Sequence, residues 1–431
     1  MAADVLRIGV AGLGTVGATT VALIHRKAAL LAQRTGKDIG VVAVSARDPG
    51  RDRGIDLSGC RWHQDARDLV ADDGVDLVVE LIGGADGIAL DVCRGALERG
   101  KPLVTANKAL LAHHGAELAA LAEAKGVHLG FEAAVAGGIP IVKSLREGLA
   151  ANGMLRVQGI LNGTCNYILT AMRESGRDFQ EVLDEAQALG YAEADPSFDV
   201  DGIDAAHKLA LLASLAFGGP PRFDAIHIEG IRHVSALDIA FAEELGYRIK
   251  LLGLARMTDD GLEQRLHPCM VPRAAPIAQV EGVLNAVVVE GDDVDAVMHE
   301  GRGAGGGPTA SAVVADIVDI ARGLILPTFG VPTDRLADHA IAPMQRHRGC
   351  YYIRLMVLDR PGVLADVSAV LRDHDVSIEA LIQRGRNPGQ QVPIVLTSHE
   401  AEEAHMVDAL AAIGRLESVI ETPRMIRIEQ L

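Results

Sequence analysis

The sequence is short of aromatic residues, of paired cysteines and of long apolar runs. Aromatic side chains occupy 3% of its 431 positions, so Ala, Val, Leu and Ile have to form most of the interior. No CxxC spacing occurs, which argues against a disulfide framework and a zinc site; the five cysteines are Cys60, Cys93, Cys165, Cys269 and Cys350. No segment reaches the ~18 uninterrupted apolar residues of a membrane span, and the first residues lack the pattern of a signal peptide. We therefore expect a cytoplasmic protein that does not bind membranes.

Positive charge is also scarce relative to negative charge. Lys and Arg number 41 against 58 Asp and Glu, for a formal net charge of −17. A field of this sign repels phosphate backbones and anionic lipids, which argues against a nucleic-acid partner. An anionic cofactor remains compatible with it, because a local site can oppose the field of the whole molecule.

The chain length predicts two or three domains, and the order of apolar segments divides them. Over residues 1–140, short apolar runs alternate with amphipathic helical stretches, the pattern of an α/β domain with a parallel sheet. Residues 141–326 mix strands and helices as an α+β domain does, with 303–326 expected to pack back on the first domain. A proline-containing linker is expected over 327–349. Residues 350–431 follow a βαββαβ order, which predicts a ferredoxin-like unit.

A GxGxxG motif lies between the first predicted strand and the helix that follows it. Glycines at these positions let the backbone approach a pyrophosphate, and the helix N-terminus supplies free N–H groups. The motif alone is weak, and a glycine-rich turn is the alternative explanation, but its place in a βαβ unit favours a Rossmann-type dinucleotide site. The motif consists of Gly12, Leu13, Gly14, Thr15, Val16 and Gly17.

The end of the second predicted strand bears on the choice of nicotinamide cofactor. NAD sites usually carry an acidic residue there, on the ribose hydroxyls. Here Arg47, helped by Ser45 or Arg51, suits a 2′-phosphate, whereas Asp48 favours the unphosphorylated cofactor. We predict a preference for NADP(H), with NAD(H) as the alternative.

The stretch GYAEADPSFDVDGIDAAHK, residues 190–208, concentrates five acidic side chains before one lysine. A solvated acidic loop would explain it. The alternative is a polar pocket that grips a cationic group and holds Lys208 where its proton is useful. Asp204 and Lys208 stand four residues apart on a predicted helix, so they share a face.

Five segments of the chain, in this order, resemble homoserine dehydrogenases: GLGTVG, VTANKALLA, FEAAVAGGIPI, LNGTCNYILTAM and GYAEADPSFDVDGIDAAHKLALL. The resemblance spans about residues 5–325. The C-terminal unit resembles an ACT domain, with DRPGVL as its strand-to-helix turn. The family reduces L-aspartate 4-semialdehyde to L-homoserine with a nicotinamide cofactor, on the route to threonine and methionine. The resemblance implies the same reaction here, with 141–326 serving catalysis and dimerisation.

The resemblance assigns roles to residues of the acid-rich stretch and to one further lysine. Lys208 is implied as the proton donor to the reduced aldehyde oxygen, a task that a lysine ammonium suits. Lys108 is implied to lie between cofactor and substrate, with a share in the proton step. Glu193 and Asp204 are implied as ligands of the substrate amino group, and Asp199 is an additional candidate.

The resemblance also implies contacts for the cofactor and a monovalent cation. Gly190, Gly303 and Gly305 are expected near the cofactor; for the last two, a simple helix-initiating turn is the competing explanation. A Na+ or K+ ion is implied at the carboxylate of Glu132 and the carbonyl oxygens of Val135, Gly137 and Ile139. Oxygen ligands of this kind suit a hard cation.

An amino-acid effector is expected at the ACT unit, because such units pair across subunits and bind small amino acids. Threonine is expected from the pathway, as a feedback inhibitor. The turn at 359–362 and the segment around Asn387 are the candidates to contact it. A homodimer or homotetramer is expected for this architecture.

Two other functions compete with this interpretation. An acylating aldehyde dehydrogenase would use Cys165 as a nucleophile, since a cysteine at a helix N-terminus can have a lowered pKa. A non-catalytic amino-acid sensor would combine a Rossmann-type domain with an ACT unit. A sensor has no use for a proton donor, so the Asp204 and Lys208 pair argues against it.

Overall fold

The computed structural model describes residues 5–384 and 389–430. Asn387, a candidate effector contact, lies outside the described residues. No helix in the described ranges is long and apolar enough to cross a membrane.

The first sheet has six parallel strands in the order β3-β2-β1-β4-β5-β6. This is the strand order of dinucleotide-binding folds, with a crevice where β1 separates β2 from β4. The expected Rossmann-type domain is therefore confirmed. Its strands are β1 (Val5–Ala11), β2 (Asp38–Ser45), β3 (Arg61–His63), β4 (Leu77–Glu80), β5 (Leu103–Thr105) and β6 (Leu129–Gly130), and its helices are α1 (Thr15–Thr35), α2 (Ala66–Ala71), α3 (Ile88–Glu98) and α4 (Lys108–Lys125).

The second part of the chain forms antiparallel strands covered by helices, as expected for an α+β domain. Its strands follow the order β12-β11-β7-β9-β10. In chain order the elements are α5 (Ile141–Lys143, continued by a π-helical turn over Ser144–Gly148), β7 (Met154–Ile160), α6 (Gly163–Ser175), α7 (Phe179–Ala188), α8 (Ser197–Val200), α9 (Ile203–Phe217), β8 (His227–Ile228), α10 (Ala236–Glu244), β9 (Tyr247–Thr258), β10 (Gly261–Pro272), β11 (Leu284–Gly291), β12 (Asp295–Arg302) and α11 (Gly306–Ala321).

Helix α11 returns to the first sheet and packs against α1. Val313 and Ile317 share one buried cluster with Val21 and Ile24. At the start of α11 the approach is so close that a Cβ on Gly306 would lie 2.8 Å from Thr19 Oγ1. The glycine-rich loop before α11 therefore lies beside the N-terminus of α1, where the GxGxxG motif is.

The C-terminal unit has the expected βαββαβ order and ferredoxin-like strand order β17-β13-β15-β14, with antiparallel neighbours. A short extra strand, β16, pairs with β13. The elements are β13 (Arg348–Leu358), α12 (Val363–Asp373), β14 (Ile378–Gln383), β15 (Gln391–Ser398), β16 (Ala401–Glu402), α13 (Glu403–Ile413) and β17 (Arg424–Ile428).

The C-terminal unit shares a sheet with the preceding part of the chain. Strand β17 pairs in parallel with β10, with Cys269 opposite Arg427 and Met270 opposite Ile428. The segment before β13, expected as a linker, is itself held against β10, since Leu262 N donates to Ala340 O at 2.7 Å. The sheet therefore runs through nine strands from β12 to β14, and β8 and β16 join it as side pairs of β10 and β13, which makes eleven strands in all.

Buried ion pairs cross this junction. The guanidinium of Arg265, 1% exposed, donates to both carboxylate oxygens of Glu429 and to Glu263. On the neighbouring strand, Arg427 pairs with Glu229 and Glu403. Burial alone would raise the pKa of Glu429, but the paired guanidinium of Arg265 outweighs burial and lowers this pKa. Each charge is thus compensated across the shared sheet.

Three residues near the junction offer ligand atoms close enough for a metal ion: His267, Cys269 and Glu429. Arg265 Nη1 is 2.9 Å from His267 Nε2 and also binds Glu429. A guanidinium cation therefore already occupies the centre of the group, and burial raises the pKa of the Cys269 thiol. We interpret the group as part of the ion-pair network.

Candidate active site

A cavity of about 560 Å³ opens between the two sheets. It lies beyond the carboxyl ends of the parallel strands, where ligands bind in open α/β sheets. Its lining joins the start of α1, the β5–α4 turn, the N-termini of α6 and α9, and the loop before α11. Among the lining residues are Val16, Lys108, Asn162, Asp204, Lys208 and Gly305.

The three glycines of the GxGxxG motif have different surroundings. Gly12 has φ +101°, and a Cβ there would lie 2.4 Å from Leu81 O. A Cβ on Gly17 would lie 1.9 Å from Gly12 O, so the third glycine permits close helix–strand packing. Nothing lies within 4 Å of a Cβ on Gly14, the N-cap of α1. The motif thus has a tight turn, close packing and one open backbone approach, which fits a pyrophosphate.

Arg47 is exposed immediately after β2, and the loop that carries it is anchored to the glycine motif. Arg53, which the sequence analysis did not single out, donates to Leu13 O at 3.2 Å and to Asp48 O at 2.7 Å. The carboxylate of Asp48 turns back on its own loop and accepts from Gly50 N at 2.8 Å.

Two lysines converge on one buried aspartate. Lys208 Nζ donates to Asp204 Oδ2 at 2.7 Å and to Leu161 O at 2.7 Å. Lys108 Nζ lies 3.1 Å from the other oxygen, Asp204 Oδ1. Burial would raise the pKa of Asp204, but the two ammonium groups outweigh it and hold this pKa below its usual value. The geometry places an ionised carboxylate between two cations at the cavity wall.

Asn162 joins this group to a second acid. Its Nδ2 donates to Asp204 Oδ2 at 2.9 Å and to Asp199 Oδ1 at 2.7 Å, while its Oδ1 caps α6 by accepting from Cys165 N. Burial raises the pKa of Asp199. Asn162 was not predicted as a site residue, although its position just before a helix in LNGTCN is a signal for an N-cap.

Only some of the acidic side chains in residues 190–208 face the cavity. Asp201 pairs with Arg232, and Asp195 caps Ser197 N. Glu193 is exposed and is absent from the cavity lining among described residues. Gly190, with φ +76°, does line the cavity. The structure thus gathers Asp199, Asp204 and Lys208 and leaves the expected partner Glu193 outside.

The glycine-rich loop closes another side of the cavity. Gly303 and Gly305 both line it, and Gly305 has φ +114°. A Cβ on Gly137 would lie 2.3 Å from Gly303 O, so the loop rests on the segment that carries the expected cation site.

The expected cation ligands lie on one compact turn. The carboxylate of Glu132 accepts from Val142 N and Lys143 N, both at 2.9 Å. Gly137 has φ +55°, while Val135 and Ile139 are buried. Burial and the nearby Asp316 raise the pKa of Glu132 to about 7. Lys143 Nζ lies 3.3 Å from Asp316 Oδ1 and also pairs with Asp319, so one ammonium already faces these acids. The carboxylate of Glu132 and the turn that follows it fit a further cation bound by oxygens.

Cys165 does not have the surroundings of a nucleophile. Its side chain is fully buried, and Sγ donates to Asp199 O at 3.2 Å. Burial and the nearby acids raise the pKa of its thiol well above the usual value. It is also absent from the cavity lining in the part of the chain that the structure describes. These findings argue against the acylating alternative.

Comparisons with known proteins agree along the whole chain. Family models described as "Homoserine dehydrogenase", "Homoserine dehydrogenase, NAD binding domain" and "ACT domain" match residues 140–318, 12–132 and 351–417. A homoserine dehydrogenase of Pseudomonas aeruginosa is 47% identical, over 99% of each chain. The crystal structure of a homoserine dehydrogenase from Thiobacillus denitrificans has a TM-score of 0.93 and 46% identity, over 99% of this chain and 98% of that one. A hyperthermophilic archaeal homoserine dehydrogenase in complex with NADPH has a TM-score of 0.64 and 27% identity, over 74% and 98%.

Proposed function

This chain belongs to the homoserine dehydrogenase family of oxidoreductases, and from that premise we propose that its cavity reduces L-aspartate 4-semialdehyde to L-homoserine with Lys208 as proton donor. The observation that carries the proposal is the pairing of Lys208 with the buried Asp204 beside an open dinucleotide cradle. A reduced nicotinamide, when bound, supplies the hydride that the aldehyde carbon accepts.

The hydrogen bonds of Lys208 suit the proton step. A lysine ammonium has three N–H donors. Two of those on Lys208 form hydrogen bonds with Asp204 and with Leu161 O. The remaining N–H is available to the aldehyde oxygen, which gains negative charge as hydride arrives and must receive a proton. The carboxylate of Asp204, kept ionised by both lysines, holds the ammonium in place.

The substrate amino group is proposed to bind the acidic wall. Asp199 and Asp204 face the cavity and supply anionic acceptors for an ammonium group. Glu193 takes part only if the segment around it moves inward, and we keep it as a candidate on that condition. Lys108, 3.1 Å from Asp204 Oδ1, lies between the cofactor and substrate sides and is proposed to share in the proton step.

The experiment that tests this function follows NADPH oxidation with L-aspartate 4-semialdehyde and identifies the product. Wild-type protein and Cys165→Ser should both oxidise NADPH and form homoserine, because no thioester is involved. NADP+ reduction that requires Cys165 and an acyl acceptor would support the acylating enzyme instead. Cofactor binding without turnover of this aldehyde would favour the sensor.

For the cofactor we propose a preference for NADP(H). Arg47 is exposed beside the loop anchored by Arg53, and Oδ1 of Asp48 accepts from Gly50 N within its own loop. The archaeal relative solved with NADPH supports the same cofactor.

Replacing Arg47 with aspartate tests this preference. We expect the ratio of kcat/KM for NADPH over NADH to fall by at least about tenfold, because one phosphate contact is lost and a like charge is added. Arg34→Ala, an exposed arginine on the last turn of α1 and far from the glycine motif, serves as the control. An unchanged ratio in Arg47→Asp would remove Arg47 from the phosphate site.

We also propose a Na+ or K+ ion held by Glu132 and the carbonyl oxygens of Val135, Gly137 and Ile139. Glu132 is 2% exposed and lies near the buried Asp316. A cation would offset this charge and fix the turn on which Gly303 rests.

The midpoint temperature of thermal unfolding, Tm, should show whether the ion binds. The folded-state pKa of Glu132 is raised from 4.5 to about 7, so its protonation stabilises the fold at low pH and this contribution is lost as pH rises through 7. Because the ion binds the carboxylate form, NaCl or KCl should raise Tm more at pH 8 than at pH 5, relative to tetramethylammonium chloride at equal ionic strength.

Glu132→Gln is the control for this prediction. It keeps the size of the side chain and removes the titrating group, so both the cation effect and its pH dependence should disappear. An equal cation effect in wild type and Glu132→Gln would place the ion elsewhere.

For regulation we propose threonine as an inhibitor that binds the ACT unit at the turn over 359–362. In that turn Gly362 has φ +98°, and the chain is held by Asp359 N donating to Gln390 O at 2.8 Å. We further propose a homodimer or homotetramer, a cytoplasmic location, and the domain division 1–140, 141–326, 327–349 and 350–431. Rates measured with and without threonine test the effector.

A further inference from the structure

One buried amide in the active-site cavity has no hydrogen-bond partner within the described chain. Asn285 lies on β11, is 1% exposed and lines the cavity, yet neither its Oδ1 nor its Nδ2 makes a hydrogen bond. Leaving a buried polar group without a hydrogen bond destabilises the folded state. A native cavity that tolerates two such groups on one side chain is expected to satisfy them with a ligand.

Gln264 on β10 is a second buried amide with both side-chain atoms unpaired within the described chain, but it is absent from the lining of this cavity, where the other amide, Asn162, is paired. Asn162 uses both of its side-chain atoms, on Asp199, Asp204 and Cys165 N. Asn166 donates to two carbonyl oxygens and accepts from Lys250. Of the cavity-lining side chains in the described ranges, Asn285 is the one with buried polar atoms left unpaired.

Two glycines fix the position of this amide. A Cβ on Gly303 would lie 2.2 Å from both Asn285 Cγ and Nδ2, so the amide lies directly against the glycine-rich loop. A Cβ on Gly163 would lie 3.3 Å from Asn285 Oδ1. The amide is therefore held between the loop before α11 and the N-terminus of α6, in a preorganised orientation.

The two unpaired atoms specify the chemistry of the missing partner. Nδ2 is a donor and Oδ1 is an acceptor, and both are on the same side-chain amide. A single group that bonds to both atoms must therefore carry an acceptor next to a donor. A carboxylate of the substrate offers acceptors alone. The carboxamide of a nicotinamide ring offers a carbonyl oxygen and an NH2 group at the matching spacing.

We propose that the side-chain amide of Asn285 forms a reciprocal pair of hydrogen bonds with the carboxamide of the bound nicotinamide. Nδ2 donates to the carboxamide oxygen, and Oδ1 accepts from the carboxamide NH2. The contact fixes the rotation of the ring against the loop at Gly303, on the side of the cavity that faces Lys208. This inference rests on the dehydrogenase function proposed above and assigns Asn285 a cofactor-positioning role within it.

The test compares equilibrium binding of two cofactors by two variants, without aldehyde present. NADP+ carries the carboxamide, and its 3-acetylpyridine analogue replaces the NH2 with a methyl group. Wild-type protein should bind NADP+ more tightly than the analogue. Asn285→Ala should weaken NADP+ binding by about 5- to 30-fold, the loss expected for up to two buried hydrogen bonds, and should bring the ratio of the two dissociation constants close to one.

Gln158→Ala is the matched control. Gln158 is a buried amide on β7, paired with β11 at Val288, and it is absent from the cavity lining in the described part of the protein. Its replacement should leave the ratio of the dissociation constants at the wild-type value. If Asn285→Ala does not fold, Asn285→Asp is the second variant, because it keeps the shape of the side chain and loses the N–H donor. It should weaken the binding of NADP+ and also that of the analogue, since both carry the carbonyl oxygen that Nδ2 is proposed to bind.

The outcomes separate this proposal from the function on which it rests. An unchanged ratio in Asn285→Ala, together with weaker homoserine binding, would overturn the proposal and place the amide on the substrate. An unchanged ratio with unchanged binding of both ligands would overturn it in favour of a bound water. Wild-type protein that binds NADP+ but does not reduce the aldehyde would contradict the dehydrogenase function and leave the binding comparison valid.

Discussion

Replacing Lys208 with alanine is expected to lower kcat by about 10²- to 10⁴-fold, the usual contribution of a positioned general acid. The substitution removes the N–H that faces the developing alkoxide, whereas the dinucleotide cradle at Gly12–Gly17 is untouched. NADPH binding, followed by its fluorescence, should therefore stay within a few-fold of wild type. Lys125→Ala, on the last turn of α4, should change neither quantity.

The size of the loss in kcat should distinguish the Lys208→Ala variant from the Lys108→Ala variant. Lys108 also contacts Asp204, but it is more exposed, with 30% of its side chain accessible against 9% for Lys208. Lys108→Ala should lower kcat less and raise the KM values of cofactor and substrate. Retention of more than about a tenth of kcat by Lys208→Ala, less than ~1.4 kcal/mol of barrier, would end its assignment as the donor.

Replacing Glu429 with alanine is expected to destabilise the fold by about 3–5 kcal/mol, the cost of leaving a buried charge without its partner. Glu429 accepts from both terminal nitrogens of Arg265, and only 1% of the Arg265 side chain and 9% of the Glu429 side chain are accessible. The remaining contact of Arg265 with Glu263 puts the expected loss at the lower end of that range. Urea unfolding followed by circular dichroism measures it.

An exposed ion pair of the same unit provides the control. Glu417 pairs with Arg360 at the surface, where 87% of the Glu417 side chain is accessible, and such pairs contribute at most about 1 kcal/mol. The double substitution Arg265→Met with Glu429→Leu should recover most of the lost stability, because it removes both charges of the pair while Glu263 keeps Arg256 and His347 as partners. A Glu429→Ala protein as stable as Glu417→Ala would show that the junction does not depend on this pair.

The first domain could be predicted well because its signals are local. The GxGxxG spacing, the strand before it and the helix after it are read within about twenty residues, and the alternation of strands and helices then indicates a parallel sheet. The pairing of Asp204 with Lys208 follows in the same way from helical periodicity. These features depend little on distant parts of the chain.

The parts that could not be predicted depend on distant contacts. Asn285 lies on a strand more than a hundred residues after Asn162, and nothing in the pattern VLNAVVVEG shows that its amide faces a cavity. The pairing of β17 with β10 is equally hidden, since each strand is apolar enough to belong to a separate sheet. Glu193 shows the reverse case: the motif suggests a site residue, and the structure places it outside the cavity.

In the proposed mechanism, the aldehyde carbon accepts hydride from NADPH bound in this cavity while Lys208 protonates the aldehyde oxygen. The most direct test supplies L-aspartate 4-semialdehyde with NADPH deuterated at both C4 positions, in ordinary water, and analyses the product by NMR. We predict homoserine with one deuterium on the carbon that carries the hydroxyl, formed at least about a hundredfold more slowly by Lys208→Ala. Homoserine without deuterium on that carbon, or no reduction of the aldehyde by the wild-type protein, would contradict this mechanism.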